Sequence, residues 1–421
     1  MITIENKFDC CGCEACRQVC PSKCIELVED SEGFLYPLID KDRCVDCGLC
    51  EKVCPIRAKQ KSVKPIKSYA AKNIADDERL KSSSGGIFIY FARLVLAEGG
   101  VVFGARFDKH WGVCHSYAET FEDVKAFMGS KYVQSRIGNC FLQVHDFLKS
   151  ERKVLFSGTP CQIAGLKTYL RKNYDNLITI DVVCHGVPSP KVWKMYLENV
   201  KLSAREGKNT VSSTHIHYFP KGDAIKDNVC VTGISFRDKR TGWKKYSFAL
   251  TLVKTAADGK QNTVSLSHIY DKNPFMKGFL RNVILRPSCY DCKFKNFRCG
   301  SDYSIADFWG CENVIPEWND DKGIGLLFVN SNKCKYSTDG LVTKQISLTQ
   351  AILSNPAIVS SSKVSRNRQR FFEEMESSRQ ICKLLEKYSS YSLYERFRNS
   401  IIIVLLKCRL LTLIKGLLNK R

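Results

Sequence analysis

Several features that the sequence lacks narrow its function before any motif is read. Met1 to Asp9 is short and mixed in polarity and does not read as a secretory segment, so a disulfide framework is not expected. No G-x-G-x-x-G opens a strand–helix unit, which sets aside an ordinary Rossmann nicotinamide site. The most apolar stretch, Ser400 to Leu418, is interrupted by Lys407, Arg409 and Lys415, so a membrane-spanning helix is not expected either. Acidic residues are scarce: 43 Asp and Glu face 65 Lys and Arg, leaving a net charge of +22. No nucleic-acid motif accompanies that excess, which suits an acidic substrate, an acidic redox partner or a membrane face.

Cysteine is abundant, at 22 among 421 residues, and its spacing carries the argument. Cys10-x2-Cys13-x2-Cys16-x3-Cys20-Pro21 recurs as Cys44-x2-Cys47-x2-Cys50-x3-Cys54-Pro55, each member 34 residues after its counterpart. Thiolates are soft ligands for iron–sulfur clusters, and this run is the signature of the two-cluster bacterial ferredoxin. There the fourth cysteine of each run serves the other cluster. The pattern therefore predicts one 4Fe-4S cluster on Cys10, Cys13, Cys16 and Cys54, and another on Cys44, Cys47, Cys50 and Cys20. Two CxxC pairs would suffice for zinc, so two identical quartets argue against it. Cys11 and Cys24 fall outside the pattern and read as packed or spare thiols. Without an export signal, this cysteine usage points to a reducing cytosol.

The length predicts two or three domains. Residues 1–57 form the ferredoxin module, with Ile25 to Ile39 read as a hairpin, and 58–68 a basic linker. Residues 69–340 alternate strands with helices, and 341–421 read as a helical tail. The expected fold class is α+β or α/β multidomain, with a small ferredoxin-like domain, a larger mixed α/β domain and that tail. Ser82 to Gly86 directly precede the apolar helical run Ile87 to Ala97 and suit a cofactor phosphate as well as a plain N-cap. After the strand Lys153 to Ser157, Thr159 and Pro160 start a helix that places Cys161 at its N-terminus, where the dipole favours a thiolate. Cys184 follows another strand, and His185 is more simply a structural hydrogen bonder than a base. Cys289-x2-Cys292 is half of a four-thiolate site. Cys161 and Cys184 are candidates for the other half of a third 4Fe-4S cluster, with zinc as the rival occupant. The tail reads first as a partner-binding or core helix and second as a helix lying on the inner membrane face.

Six stretches in order then resemble the coenzyme F-420 hydrogenase/dehydrogenase beta-subunit family: Ser82 to Gly86, Gly129 to Ser135, Gly158 to Gln162, Cys184 to Pro190, Cys289 to Cys292, and Asp302 to Gly310. The resemblance covers about residues 69 to 330. It implies an FAD-containing iron–sulfur oxidoreductase, with Ser83, Ser84, Gly85, Gly86, Lys131, Tyr132 and Thr159 on the flavin side. It also implies Cys161, Cys184, Cys289 and Cys292 as ligands of the cluster nearest the flavin, with Cys299 as a rival ligand. Clusters pass single electrons whereas most organic redox steps need a hydride, and a flavin converts one into the other. The expected function is electron transfer between the clusters and FAD, with hydride exchanged with deazaflavin coenzyme F-420 or a polysaccharide-pathway substrate. The alternative is a non-catalytic relay subunit. The expected partners are a redox protein such as a ferredoxin or reductase, and an acidic small-molecule substrate, without nucleic acid. The expected location is the cytoplasm.

Overall fold

The computed structural model describes residues 1–58, 61–205, 228–255, 261–333, 336, 338–378 and 380–390. The N-terminal module holds two short helices, α1 (Ala15–Val19) and α2 (Leu49–Lys52), and the expected hairpin of β1 (Ile25–Glu29) and β2 (Leu35–Ile39). The repeat extends to the backbone. Gly12 and Asp46, and likewise Glu14 and Gly48, occupy matching positions in the two copies, and all four take positive φ. That turn aims the flanking cysteines inward, and Asp46 and Glu14 adopt it at the steric penalty that non-glycine residues meet there.

The rest is built on an eight-stranded sheet. Its members are β3 (Lys67–Asn73), β4 (Val101–Phe107), β5 (Val113–Ala118), β6 (Val154–Gly158) and β7 (Leu177–Val182), then β11 (Tyr303–Asp307), β12 (Gly325–Val329) and β13 (Leu341–Gln345). Their order is β13-β3-β12-β11-β7-β6-β4-β5. The four central strands β11, β7, β6 and β4 run parallel, and both flanks are antiparallel. The central strands are apolar on both faces, as a sheet covered on both sides requires. Val101, Phe103, Val154 and Phe156 pack on one side; Val102, Leu155, Ile178 and Ile180 pack on the other.

The second of these faces carries α4 (Ile87–Ala97), preceded by α3 (Asp76–Lys81) and followed by the short α5 (Phe121–Val124). The first carries α6 (Cys140–Lys149) and α7 (Pro160–Leu170). A capping box between Thr159 and Gln162, with Pro160 in the first turn, starts α7. Helix α8 (Pro190–Arg205) leads to an antiparallel meander of β8 (Asn228–Asp238), β9 (Ser247–Thr255) and β10 (Gln261–Ile269), and then α9 (Pro274–Leu280).

The tail differs from its expectation in two ways. It begins with β13, which pairs with β3 at the sheet edge. Of its helices, α10 (Leu348–Ser354), α11 (Arg368–Met375) and α12 (Ile381–Ser389), the last two bury Phe371, Met375, Leu384 and Leu385 in one core with α8, α9 and the meander. Leu341 of β13 is buried and one face of α12 is apolar, so this part of the tail is core. The Ser400 to Leu418 run lies outside the described residues. No helix among those described is long and apolar enough to cross a membrane.

Candidate redox site

The ferredoxin quartets assemble in the crossed pairing that the sequence predicts. Cys10, Cys13, Cys16 and Cys54 line one cavity, and Cys20, Cys44, Cys47 and Cys50 line another. Burial pushes the Cys16 thiol up to about 12, helped by the neighbouring Cys10 and Cys54. Cys16 also lies within electrostatic reach of Cys50, so the two groups adjoin. Cys24 is drawn in as a fifth thiol of the second group, 3.4 Å from Cys20.

A third group forms at the carboxyl ends of the parallel strands, where open α/β sheets place their sites. Cys161 follows β6, Cys184 follows β7, and Cys289 and Cys292 come from a loop after α9. All six pairs among these four thiols interact electrostatically. Burial pushes Cys184 up to about 12 and Cys289 higher still, and the neighbouring thiols add to the rise at both. Four crowded, buried thiols are costly to ionise unaided, and a cationic iron–sulfur core removes that cost by binding thiolate. The donor set therefore fits a cluster. Among the described residues no group of three or more His, Cys, Asp or Glu is arranged to hold a single metal ion, which goes against the zinc alternative. A multi-iron core spreads its thiolates wider than one ion does. Buried Lys295 donates to the Cys184 carbonyl and, at 2.7 Å, to that of Ala357. Cys299 stands apart, bonded to Ser301 and influenced by Asp181.

The expectation for Cys161 needs correction. Despite its place at the start of α7, its pKa lies well above the ordinary thiol value, because Cys11 hydrogen-bonds to it and the site is buried. A short helix dipole acts only within its first turn and is outweighed by burial here.

Beyond this group an aromatic path runs to a second feature. The His185 ring stands edge-on to Phe279 at 5.1 Å, and Phe279 stacks on Tyr132 at 4.6 Å. His185 Nε2 meets Asn282 Oδ1 at 2.6 Å, a structural bond. The Tyr132 hydroxyl accepts from Arg237 at 3.2 Å. Arg237 forms a wall of a cavity of about 270 Å³ that is also lined by Lys81, Ser83, Lys125, Ser130, Lys131 and Phe236. No carboxylate lines it. Asp307 holds Arg237 from behind through bonds of 3.0 and 3.1 Å, and the Trp243 indole donates to the same carboxylate. Arg237 is nearly fully buried, yet its Nε has no hydrogen-bond partner among the described residues. Cations, hydroxyls and aromatic walls around an orphaned guanidinium N–H fit a flat, anionic cofactor such as a flavin nucleotide.

The residues on the expected flavin side fall into three sets. Ser83 and Lys131 line the cavity, and Tyr132 reaches it through Arg237. Lys131 turns its ammonium onto the carbonyls of Ala126 and Met128, at 2.9 and 2.8 Å, and of Gly129. Burial and then Arg106 push its pKa down to about 7, against the pull of those carbonyls. Ser84, Gly85 and Gly86 have backbone roles. Ser84 donates to the Ile324 carbonyl, and Gly86 caps α4 at φ 76°. A Cβ on Gly85 would lie 2.4 Å from the Ala71 oxygen and 2.7 Å from the Gly325 nitrogen, so β3 and β12 require glycine there. Thr159 lies away from the cavity lining, hydrogen-bonded to Cys161 at 3.2 Å.

Comparison with known proteins bears on this arrangement directly. The family described as the C terminus of the coenzyme F420 hydrogenase/dehydrogenase beta subunit matches residues 151–353, and a 4Fe-4S dicluster domain matches 9–58. The chain belongs to the F420 hydrogenase beta-subunit family and carries an N-terminal ferredoxin domain. A chain of the F420-reducing [NiFe] hydrogenase complex from Methanosarcina barkeri is 16% identical, covering 76% of this chain and 97% of its own length, with a TM-score of 0.42. No curated protein matches at a significant level. The family and domain matches make this beta-subunit relative an iron–sulfur, oxidoreductase-type electron-transfer protein. Its family segment contains all four cysteines of the third group, together with Arg237 and Asp307.

Sequence reading missed three charged residues of this beta-subunit relative. Arg237 ends the apolar alternation Ile234-Ser-Phe, and Arg286 interrupts Val283-Ile-Leu before Pro287. A cation inside an apolar strand or run was the available signal. Glu14, between two ligand cysteines, gave none.

Proposed function

We propose that this chain is an iron–sulfur flavoprotein oxidoreductase. Two ferredoxin-type 4Fe-4S clusters exchange single electrons with a third, held by Cys161, Cys184, Cys289 and Cys292, which serves FAD bound at the Ser83–Lys131–Arg237 cavity. Bound there, FAD supplies the conversion between single electrons and hydride, exchanged with an organic acceptor of the deazaflavin or polysaccharide-pathway kind. The observation that carries this reading is linear order. The second quartet adjoins the first at Cys50 and Cys16, the first adjoins the third at Cys11 and Cys161, and His185, Phe279 and Tyr132 lead on to the cavity. Arg237 and Ser83 are suited to hold an anionic part of the cofactor, with Asp307 fixing the guanidinium. At about 270 Å³ the cavity is slightly smaller than the usual ligand pocket of about 300 Å³ or more, so it suits one portion of a dinucleotide. The reading places the protein in the cytoplasm beside a redox partner.

The test is anaerobic reconstitution of the full chain. About twelve iron and as many sulfide are expected, four of each per cluster, with FAD released on denaturation. Reduction by dithionite, followed by coenzyme F420 or another hydride acceptor, separates an enzyme that turns over unaided from a subunit that needs its partner. Binding of neither FAD nor FMN would refute the hydride step.

A further inference from the structure

The contact between the ferredoxin module and the α/β domain is built around one buried cation. Arg286 is fully buried in the loop that leads to Cys289. Its Nε donates to the Cys10 carbonyl at 2.7 Å, and Nη2 donates to Cys10 Sγ at 3.4 Å and to the Leu35 carbonyl at 2.9 Å. Nη1 donates to Gln134 Oε1 at 3.0 Å, and Gln134 returns a bond to the Cys11 carbonyl. The guanidinium lies over Tyr36 at 4.4 Å. Its charge also reaches Cys11 and Cys289. One residue thus touches a ligand of the first quartet directly and a ligand of the third through space.

Cys11 completes the contact. It is buried between two ligands of the first quartet, and its side chain bonds to both Cys13 and Cys161. Gly165 makes the approach possible, since a Cβ there would lie 2.8 Å from Cys13 Cβ. A sulfur bridging two cluster ligands shortens the through-space gap between their clusters. An N–H donor and a positive charge at a ligand sulfur favour the reduced cluster, because reduction adds negative charge.

We propose that Arg286 and Cys11 form the electron junction between the first and third quartets, Arg286 raising the potential of the first cluster and Cys11 carrying contact to Cys161. The inference rests on the reading of both quartets as clusters. In the step, one electron leaves the reduced first cluster and one electron is gained by the third; no proton moves and no bond breaks. The electron originates from a low-potential one-electron donor. Both are positioning residues, acting through the ligands they touch.

Redox titration of the full chain, followed by electron paramagnetic resonance, tests the junction. Arg286→Gln is expected to lower the midpoint of the first cluster by about 59 mV, the one-electron equivalent of a tenfold change. Arg286→Lys, which keeps the charge but not the fork of donors, is expected to shift it in the same direction by less, and is read alone if the glutamine variant loses iron. Cys11→Ala is expected to slow reduction of the third cluster by the first at least tenfold at unchanged iron content, and Cys11→Ser to recover part of the rate. Variants that keep full iron with wild-type midpoint and transfer rate would overturn the junction. A wild type lacking the third cluster would instead overturn the reading of the site itself.

Discussion

Replacing Glu14 should loosen the whole ferredoxin module. Its carboxylate is 3% exposed and accepts from Arg136 Nε at 2.9 Å, the Ile137 amide at 3.0 Å and the Gly138 amide at 3.2 Å. Truncation to alanine leaves a guanidinium and two amides without that acceptor, and breaking a buried charged contact of this kind costs about 3–5 kcal/mol. Glu14→Gln keeps an acceptor of similar shape and loses only the charge assistance, about 1–2 kcal/mol. Module opening can be read away from the mutated contact. The Phe141 and Leu142 amides donate to Gln18 Oε1 on the same module, at 3.0 and 3.3 Å, without touching Glu14. At about 1.4 kcal/mol per decade, their hydrogen-exchange protection should fall on the order of 100-fold or more in Glu14→Ala, and about tenfold in Glu14→Gln. Unchanged protection at Phe141 and Leu142 in both variants would refute the view that Glu14 anchors the module.

Two further outcomes follow from buried groups in the α/β domain. His115 faces the Ser157 carbonyl at 3.1 Å and the Ser135 hydroxyl at 2.9 Å, and burial holds its pKa down at about 4. The unfolded chain takes up this proton below about 6.5 and the folded chain does not, so its stability contribution is full above pH 6.5 and is lost as pH falls towards 4. The loss approaches about 3 kcal/mol, and urea midpoints across that window should flatten in His115→Gln. Gly85→Ala should destabilise the chain by about 1–3 kcal/mol or more, because the new methyl meets backbone of β3 and β12 that cannot move aside. A thermal midpoint equal to wild type would show that the two strands tolerate it.

Much of the framework was legible because it depends on local pattern. Val101 to Phe107 as a strand, and Ile87 to Ala97 and Cys140 to Lys149 as helices, have the same bounds in sequence and structure. In each case apolar periodicity and flanking breakers act within one element. Strands β5, β11 and β13 were not anticipated. Tyr303 to Asp307 carries Ser, Ala and Asp, and becomes a central strand only because β7 and β12 lie on either side of it. The tail was read as a separate helical unit because nothing in residues 341–345 or 368–389 announces the partners they cover.

The sequence by itself determined the cluster chemistry of the N-terminal module. Two cysteine runs at one spacing define eight soft ligands, and their left-handed turns repeat with the same period, so chain geometry alone directs the thiols inward. Only the tertiary structure decided what joins the module to the rest. Arg286 meets Cys10 across 276 positions of sequence and Arg237 meets Asp307 across 70. Whether such a charge is a solvated surface group or a buried donor depends on what packs over it, which no local pattern encodes. The same is true of Cys11. It looks spare beside eight regularly spaced cysteines, and becomes a bridge only when Gly165 lets helix α7 bring Cys161 against it.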